Sequence, residues 1–458
     1  MLLRRRENWL ERRVVQPIDR RFFAVTPSSG ESLPQLDGLR AVAVIMIFMR
    51  HAWGLSGQWK PVLNIGTRID LSPFVLMMAN GVDLFFVLSG FLLSRQFISA
   101  HAAGRPRPDL RRYFRLRAYR ILPAFYVSLA IALLVLCPAI IDPSLVYSAI
   151  GIRAIAANLF VMQTIAPWAY GIWGQLSPYW TLTIEVLFYL LLPFIMRFFL
   201  GRRWLIAVPA FLALTWGWLY YVHSTHSSWL VNAIVDHGGR PGAFPAFARF
   251  FLSKQLPAHI FDFACGIGAA CAVAAMKERE RWIPTLARAV RWTGVAIVLA
   301  GMYILGRISQ DNKFYDGVTL MSSSGMSARV FYYFEEPTMG FGFGLLIFGI
   351  CCRGIRTATL SWKPLRFIGI VGFGFYLFHM PFLYLYTKMP WIASIHDLKY
   401  HWLVLMLFTG TVVLTVSSLV YLAVEKPFID RARRSPGTVS KASQVVTTAG
   451  VTTSRATV

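Results

Sequence analysis

Apolar blocks of about 20 residues recur along the whole chain, and each is long enough to cross the hydrocarbon core of a bilayer as a helix. Only 15% of the residues are charged and 56% are hydrophobic, whereas soluble domains have about 25% charged residues. The sequence therefore predicts an all-α fold, a polytopic bundle of transmembrane helices, and excludes an ordinary soluble globular protein. The blocks lie near residues 38–55, 80–99, 114–137, 145–164, 180–200, 204–222, 258–276, 292–307, 338–352, 366–387 and 402–424.

The basic residues indicate how many of these blocks cross the membrane. If every block crossed, Arg197, Arg202 and Arg203 would be external, and the charge bias would invert for every later loop. Block 145–164 is interrupted by Arg153, and without it about ten spanning helices remain, with both termini in the cytoplasm. Cytoplasmic segments then hold roughly three times as many Lys and Arg as external segments, as the positive-inside rule requires. The net charge of +25 thus predicts contact with the lipid bilayer and no nucleic-acid partner.

These considerations divide the chain into three parts of a multi-pass protein of the cell (inner) membrane. Residues 1–35 are predicted to be a basic cytoplasmic segment, either a surface-lying amphipathic helix or a flexible tail. Residues 36–428 form the transmembrane domain, and the Ser- and Thr-rich stretch 435–458 is expected to be a disordered cytoplasmic tail. Within the domain, 308–337 is predicted to be an external loop whose tyrosines and glutamates either hold a sugar or form an interfacial belt.

The first apolar block contains both an arginine and a histidine. Arg40 and His51 are eleven residues apart, which on a helix places them within ~20° of the same face, separated by a rise of ~16 Å. Asp37 is expected to form a salt bridge with Arg40, since residues i and i+3 are neighbours on a helix. Ionisable residues inside a membrane are functional candidates by default. The pair therefore outlines a path from an anion-binding charge at the inner surface to a base farther across the membrane.

Several segments resemble, in order, the motifs of the membrane acyltransferase 3 family. The resemblance extends over most of the chain, and we expect no fused hydrolase-like domain. Arg50, directly before the histidine, departs from the family pattern, as do Thr181 and Thr183, which replace serines. The matching segments are LDGLRAVAVIMIFMRH (36–51), GVDLFFVLSGFLL (81–93), RRYFRLRAYRILPAFY (111–126), WTLTIEVLFYLLLP (180–193), FYLFHMP (375–381) and VEKPF (424–428).

The resemblance implies transfer of an acyl group, usually acetyl, from a cytoplasmic acyl-CoA to a hydroxyl of a glycan or a secondary metabolite. Acyl-CoA, with acetyl-CoA expected, is then a donor substrate, and no permanently bound cofactor is predicted. A histidine with its ordinary pKa of ~6.5 is a suitable base for taking the hydroxyl proton. His51 is therefore the candidate base, acting directly on the acceptor or being acylated first.

The remaining candidate residues are acids and arginines. Glu185 and Asp83 are intramembrane acids, predicted to orient a histidine or pair with an arginine in catalysis, with structural ion pairing as the alternative. The residues predicted to bind the phosphates of the donor are Arg40, Arg115, Arg117 and Arg120. The alternative is that these arginines anchor the protein at the inner surface of the membrane. No metal site is predicted, because no carboxylate pattern completes the i, i+3 pair of His223 and His226.

A transporter or flippase for a glycan or lipid-linked sugar is the alternative of a different class, with the intramembrane charges lining its pathway. The chain halves show no repeat of the kind found in many carriers, which favours the enzyme. Consumption of a thioester separates the two, since a carrier consumes none. The sequence leaves the identity of the acceptor and the oligomeric state open.

Overall fold

A computed structural model describes residues 33–56, 62–64, 68–136, 143–167, 178–224, 244–276, 283–313, 320–321, 323, 325–352, 357–389 and 401–434. The predicted tail 435–458 and all but the last few residues of segment 1–35 lie outside this part. Apart from one small hairpin, the described elements are helices. In chain order they are α1 Pro34–Leu55, α2 Ser72–Met77, α3 Gly81–Ala102, α4 Leu110–Ile131, α5 Pro143–Val146, α6 Ala149–Leu159, α7 Trp180–Phe199, α8 Trp204–Ser224, α9 Phe244–Ser253, α10 Leu256–Met276, α11 Ile283–Asp311, α12 Met326–Cys351, α13 Lys363–Ile370, α14 Gly372–Thr387, α15 His401–Val420 and α16 Lys426–Arg434.

The hairpin joins two three-residue strands, β1 Val62–Asn64 and β2 Arg68–Asp70, which pair antiparallel with Leu63 opposite Ile69. It follows α1 and precedes α2. A 3₁₀ turn, Met78–Asn80, then leads directly into α3. Since this hairpin has only six strand residues and the other described elements are helices, the fold is an all-α bundle as predicted.

The number of spanning helices agrees with the prediction of about ten. In the described part, eight helical segments are long and apolar enough to cross a membrane, and α13 with α14, bent by 71°, would form a ninth. Helix α12 has 26 residues but is not among these, since it carries Glu335 and Glu336. Helix α6 has 11 residues, about 16 Å of rise, too short to cross. This confirms the prediction for block 145–164.

One boundary prediction was wrong. The stretch 308–337 was predicted to be an external loop, but α11 continues to Asp311 and α12 already begins at Met326. The sequence of α12 is less apolar in its first half because of Glu335, Glu336 and Pro337. Both glutamates have polar neighbours inside the bundle, and the helix can therefore extend through them.

Local signals explain how the helices begin and turn. The Asp109 carboxylate accepts a hydrogen bond from the Arg111 backbone N–H at 2.9 Å, which caps the N-terminus of α4. Between α7 and α8 the chain turns sharply through Gly201, whose φ of +68° is strained for any residue with a Cβ. These short connections hold neighbouring helices side by side.

Close helix packing at the centre depends on glycine. A Cβ at Gly90 of α3 would collide with the Phe263 backbone of α10, and one at Gly266 would collide with the Val87 backbone. The two helices therefore touch backbone to backbone. Two apolar cores form the interior of the bundle: one joins α1, α4, α7 and α14, and the other joins α3, α10, α11 and α12.

Candidate active site

Helix α1 positions the first pair of candidate residues. The Arg40 guanidinium Nη1 lies 2.9 Å from Asp37 Oδ1, which confirms the predicted salt bridge. Asp37 Oδ2 is also 3.7 Å from Arg366 Nη2 on α13. A Cβ at Gly369 would collide with the Asp37 carbonyl oxygen, and thus α13 can approach this close to α1 only with glycine there. Asp37 consequently orients Arg40 and connects two helices.

A cavity of about 140 Å³ lies beside Arg40, where α1, α3, α4, α7 and α14 meet. Three of the four arginines predicted to bind the donor line it, together with Glu185. Its remaining walls are largely apolar and aromatic. The polar side chains in the lining are Arg40, Ser89, Arg117, Arg120, Thr181, Glu185, Tyr189 and Tyr376.

Arg117 and Arg120 are close enough to Arg40 to repel it electrostatically. Glu425, fully buried, lies with its Oε2 3.6 Å from Arg120 Nη1. The Nε of Arg117 is buried and has no hydrogen-bond partner. An anion in the cavity would relieve the repulsion among the three guanidinium groups and could accept from charged N–H donors, which make the stronger hydrogen bonds.

Arg115 does not line this cavity. Arg117 and Arg120 are i, i+3 neighbours on α4, whereas Arg115 lies two positions before Arg117, a rotation of ~200° about the helix axis. The structure therefore brings Arg40, Arg117 and Arg120 together and places Arg115 on another face of α4.

Glu185 is held at the cavity wall by hydroxyl groups. Its Oε1 accepts a hydrogen bond from Ser89 Oγ at 3.1 Å and another from the Tyr189 hydroxyl one helical turn along α7. Nearby, the hydroxyls of Thr181 and Tyr376 are 2.8 Å apart. Glu185 thus lines the same cavity as the three arginines.

His51 lies about 16 Å farther along α1 than Arg40 and pairs with a second histidine. His51 Nδ1 is 2.9 Å from His379 Nε2 on α14, and the two rings meet edge to edge, with their centroids 5.1 Å apart and their planes inclined by 25°. His379 Nδ1 lies 2.6 Å from the Tyr376 carbonyl oxygen. The carbonyl can only accept, so we assign the proton of His379 to Nδ1, which leaves Nε2 as an acceptor. His51 then donates from Nδ1 and keeps the lone pair on its own Nε2, the form a general base needs.

The Arg50 side chain, which precedes His51, packs over an aromatic ring. Its guanidinium carbon lies 5.4 Å from the centre of the Trp53 ring. A guanidinium over an indole face is a favourable cation–π arrangement. Arg50, which departs from the family pattern, is therefore held by a contact with Trp53 on the same helix.

Asp83 lies in a different group of residues from His51. It accepts a hydrogen bond from Asn80 at 2.7 Å and is grouped with His259 and Asp262 of α10. Neither His259 nor Asp262 was singled out from the sequence, although both interrupt the apolar block 258–276. Polar residues inside such a block are the signal by which they could have been found.

The chain is similar in sequence to known proteins. The sequence model of a family described as an acyltransferase domain matches residues 33–422. The peptidoglycan O-acetyltransferase OatA of Listeria monocytogenes is 24% identical over 378 residues, covering 80% of this chain and 51% of that protein. Nodulation protein 10 of Rhizobium leguminosarum bv. viciae is 34% identical over 178 residues, 37% of this chain and 45% of that protein. The O-acetyltransferase OatA of Staphylococcus aureus is 32% identical over 177 residues, 38% of this chain and 26% of that protein.

The matched regions thus span about half or less of these relatives' own length. No solved structure matches the chain significantly.

Proposed function

Because the chain belongs to the family described as an acyltransferase domain, we propose that it is a membrane-embedded O-acyltransferase. It takes the acyl group, acetyl in the first instance, from cytoplasmic acyl-CoA and transfers it to a hydroxyl of a glycan or a secondary metabolite. Two of the relatives are named as O-acetyltransferases, which supports acetyl as the group and a hydroxyl as the acceptor.

The cavity beside Arg40 is the proposed donor site. Arg40, Arg117 and Arg120 line it, and guanidinium groups are well suited to phosphate because they donate in a fixed fork. The phosphates of acyl-CoA would be held here, with Asp37 and Glu425 orienting the arginines. In acyl-CoA a long flexible arm separates the phosphates from the thioester, and Arg40 and His51 are likewise separated, by ~16 Å along α1.

His51 is the proposed general base. Its Nε2 takes the proton of the acceptor hydroxyl as the oxygen attacks the thioester carbonyl carbon. The C–S bond breaks, the leaving thiolate receives that proton from His51, and the products are an ester and CoA with a free thiol. His379 acts as a positioning residue, because accepting the His51 Nδ1–H fixes the tautomer and the ring orientation.

The proposed orientation follows the distribution of basic residues. With both termini in the cytoplasm and the chain in the cell membrane, α1 runs from the inner surface outward. Arg40 then lies nearer the cytoplasmic supply of acyl-CoA, and His51 lies nearer the outer face. This arrangement suits an acceptor that is presented outside.

The observation that carries the proposal is that His51, which pairs with His379 of α14, lies on the same helix as the cavity-lining Arg40. The test uses the purified full chain in proteoliposomes, with radiolabelled acetyl-CoA and peptidoglycan fragments, lipo-oligosaccharides and small alcohols as acceptors. We expect base-labile label on an acceptor together with an equal amount of free CoA thiol. Movement of a glycan across the bilayer with no thioester consumed would instead identify a flippase.

A further inference from the structure

A second polar group lies inside the bundle, on the other side of Phe86 from the proposed donor cavity. Helices α3, α10 and α12 contribute to it at one level. Asp83, His259 and Asp262 are 3%, 1% and 1% exposed, respectively. We call these three residues, with Glu336, the acidic cluster. Nothing in the proposed acyl transfer uses them in this arrangement.

The cluster has the spacing of a metal site. One ligand atom from each of Asp83, His259 and Asp262 lies within 4.8 Å of the others. His259 Nδ1 is 3.3 Å from Glu336 Oε1 and 3.9 Å from Asp262 Oδ2. Asp83 of α3 therefore meets His259 and Asp262 of α10 at one point, and Glu336 of α12 lies beside His259.

Several buried atoms that face this point lack hydrogen-bond partners. Both carboxylate oxygens of Asp262 and Oε2 of Glu336 make no hydrogen bond. Buried polar atoms are nearly always paired, and each exception calls for an explanation. A cation would satisfy these oxygens without any donor from the protein.

The charge of the region also calls for a cation. Four carboxylates are present when Glu335 is included, and Lys254 is near enough to interact electrostatically with Asp83, Glu335 and Glu336. Buried carboxyl groups of this kind stay neutral by protonation unless positive charge compensates them, and one ammonium cannot compensate four. A divalent cation would pair with them in their ionised form.

The surroundings resemble those of an organised ligand site. Asn80 Nδ2 donates to Asp83 Oδ2 at 2.7 Å and to Glu335 Oε1 at 2.9 Å, an outer-sphere arrangement that orients carboxylates. The rings of Phe86 and Trp180 lie 5.3 Å and 5.2 Å from the His259 ring and exclude water from one side. A Cβ at Gly340 would collide with Asp262 Oδ1, so glycine there leaves room for the carboxylate.

We propose that the acidic cluster binds one divalent cation of the zinc type, with Asp83, His259, Asp262 and Glu336 as its ligands. An imidazole nitrogen with carboxylate oxygens suits zinc, whereas magnesium and calcium favour sites made of oxygen alone. The ion would connect α3, α10 and α12, and binding would therefore stabilise the fold. The proposal goes beyond acyl transfer and does not depend on it.

The experiment uses the untagged full chain in detergent, stripped with EDTA, incubated with ZnCl₂ or MgCl₂ and desalted. We expect one zinc per chain by mass spectrometry of metals and a thermal unfolding midpoint that rises with zinc concentration. Asp262→Asn and His259→Gln should lose the bound zinc. Asn80→Ala should bind it about 10- to 100-fold more weakly, and Asp311→Asn, which changes an exposed carboxylate, should behave as the unchanged protein.

The proposal would be overturned if the wild-type chain bound much less than one zinc and its unfolding midpoint did not rise with zinc. This test uses only the wild-type chain and so does not depend on whether a variant folds. Retention of one zinc by monodisperse Asp262→Asn and His259→Gln would also overturn it, because the ion would then lie elsewhere. A preference for magnesium over zinc would contradict the assignment of His259 as a ligand. Loss of acyl transfer leaves these readouts unaffected, and hence the two proposals fail separately.

Discussion

Replacing His379 by phenylalanine tests the histidine pair most directly. The substitution keeps an aromatic ring beside His51, where the ring centroids are 5.1 Å apart, but removes the Nε2 acceptor 2.9 Å from His51 Nδ1. A buried donor left without its partner costs about 1–3 kcal/mol. If that cost falls on the orientation of the base in the transition state, turnover should drop roughly 5- to 150-fold.

The assay measures release of CoA thiol and label on the acceptor under saturating acetyl-CoA, with donor binding measured separately. Donor affinity should be unchanged, since the arginines lie elsewhere. His401→Phe is the matched control, because His401 is also buried and lies beside an aromatic ring, that of Tyr386. It should retain full turnover.

The double variant gives the decisive comparison. If His379 acts only through His51, His51→Ala with His379→Phe should be no slower than His51→Ala alone, since coupled residues are not additive. Wild-type turnover in His379→Phe, or additive losses in the double variant, would refute the positioning role of His379.

Further outcomes follow from the same geometry. His51→Ala should lower transfer by on the order of 10²–10⁴ while acetyl-CoA still binds, and unchanged turnover would make His51 a packing residue. Arg40→Ala should weaken acetyl-CoA binding by roughly 1.5–3 kcal/mol in calorimetry, whereas Arg153→Ala, in the short helix α6, should not. In a cysteine-free background, Ser224→Cys should react with an impermeant thiol reagent from outside the cell and Arg202→Cys should be protected. The reverse labelling would invert the proposed orientation.

The fold was predictable because the bilayer allows few solutions. Block length and the bias of basic residues were enough to predict about ten spans and to exclude 145–164, which contains the 11-residue α6. The start of α12 was not predictable, because Glu335 and Glu336 look like loop residues until their partners are known. Asn80 lies 255 positions away from Glu335 in sequence, and no local pattern reports such a contact.

The candidate site was predictable only within a single helix. The Asp37–Arg40 salt bridge and the shared face of Arg117 and Arg120 follow from helical spacing alone. The pairing of His51 with His379 joins the first span to a helix 328 positions later, and it depends on how α14 packs against α1. Arg115 was grouped with its neighbours in sequence, although helical spacing alone places it on another face of α4 from Arg117.

Asp83 bears on both proposals. It was predicted from the sequence to be catalytic, and the structure places it in the acidic cluster. On α3 it lies six residues before Ser89, which supports Glu185 at the donor cavity, a separation of ~9 Å and ~240° around the helix. If Asp83 acts only as a ligand of the cluster, Asp83→Asn and Asp262→Asn should lose zinc, lower the unfolding midpoint and change acyl transfer by the same factor. The measurement is metal content, unfolding midpoint and turnover for both variants in parallel. Loss of transfer in Asp83→Asn alone, with Asp262→Asn still active, would return Asp83 to the catalytic group and separate its role from that of the cation.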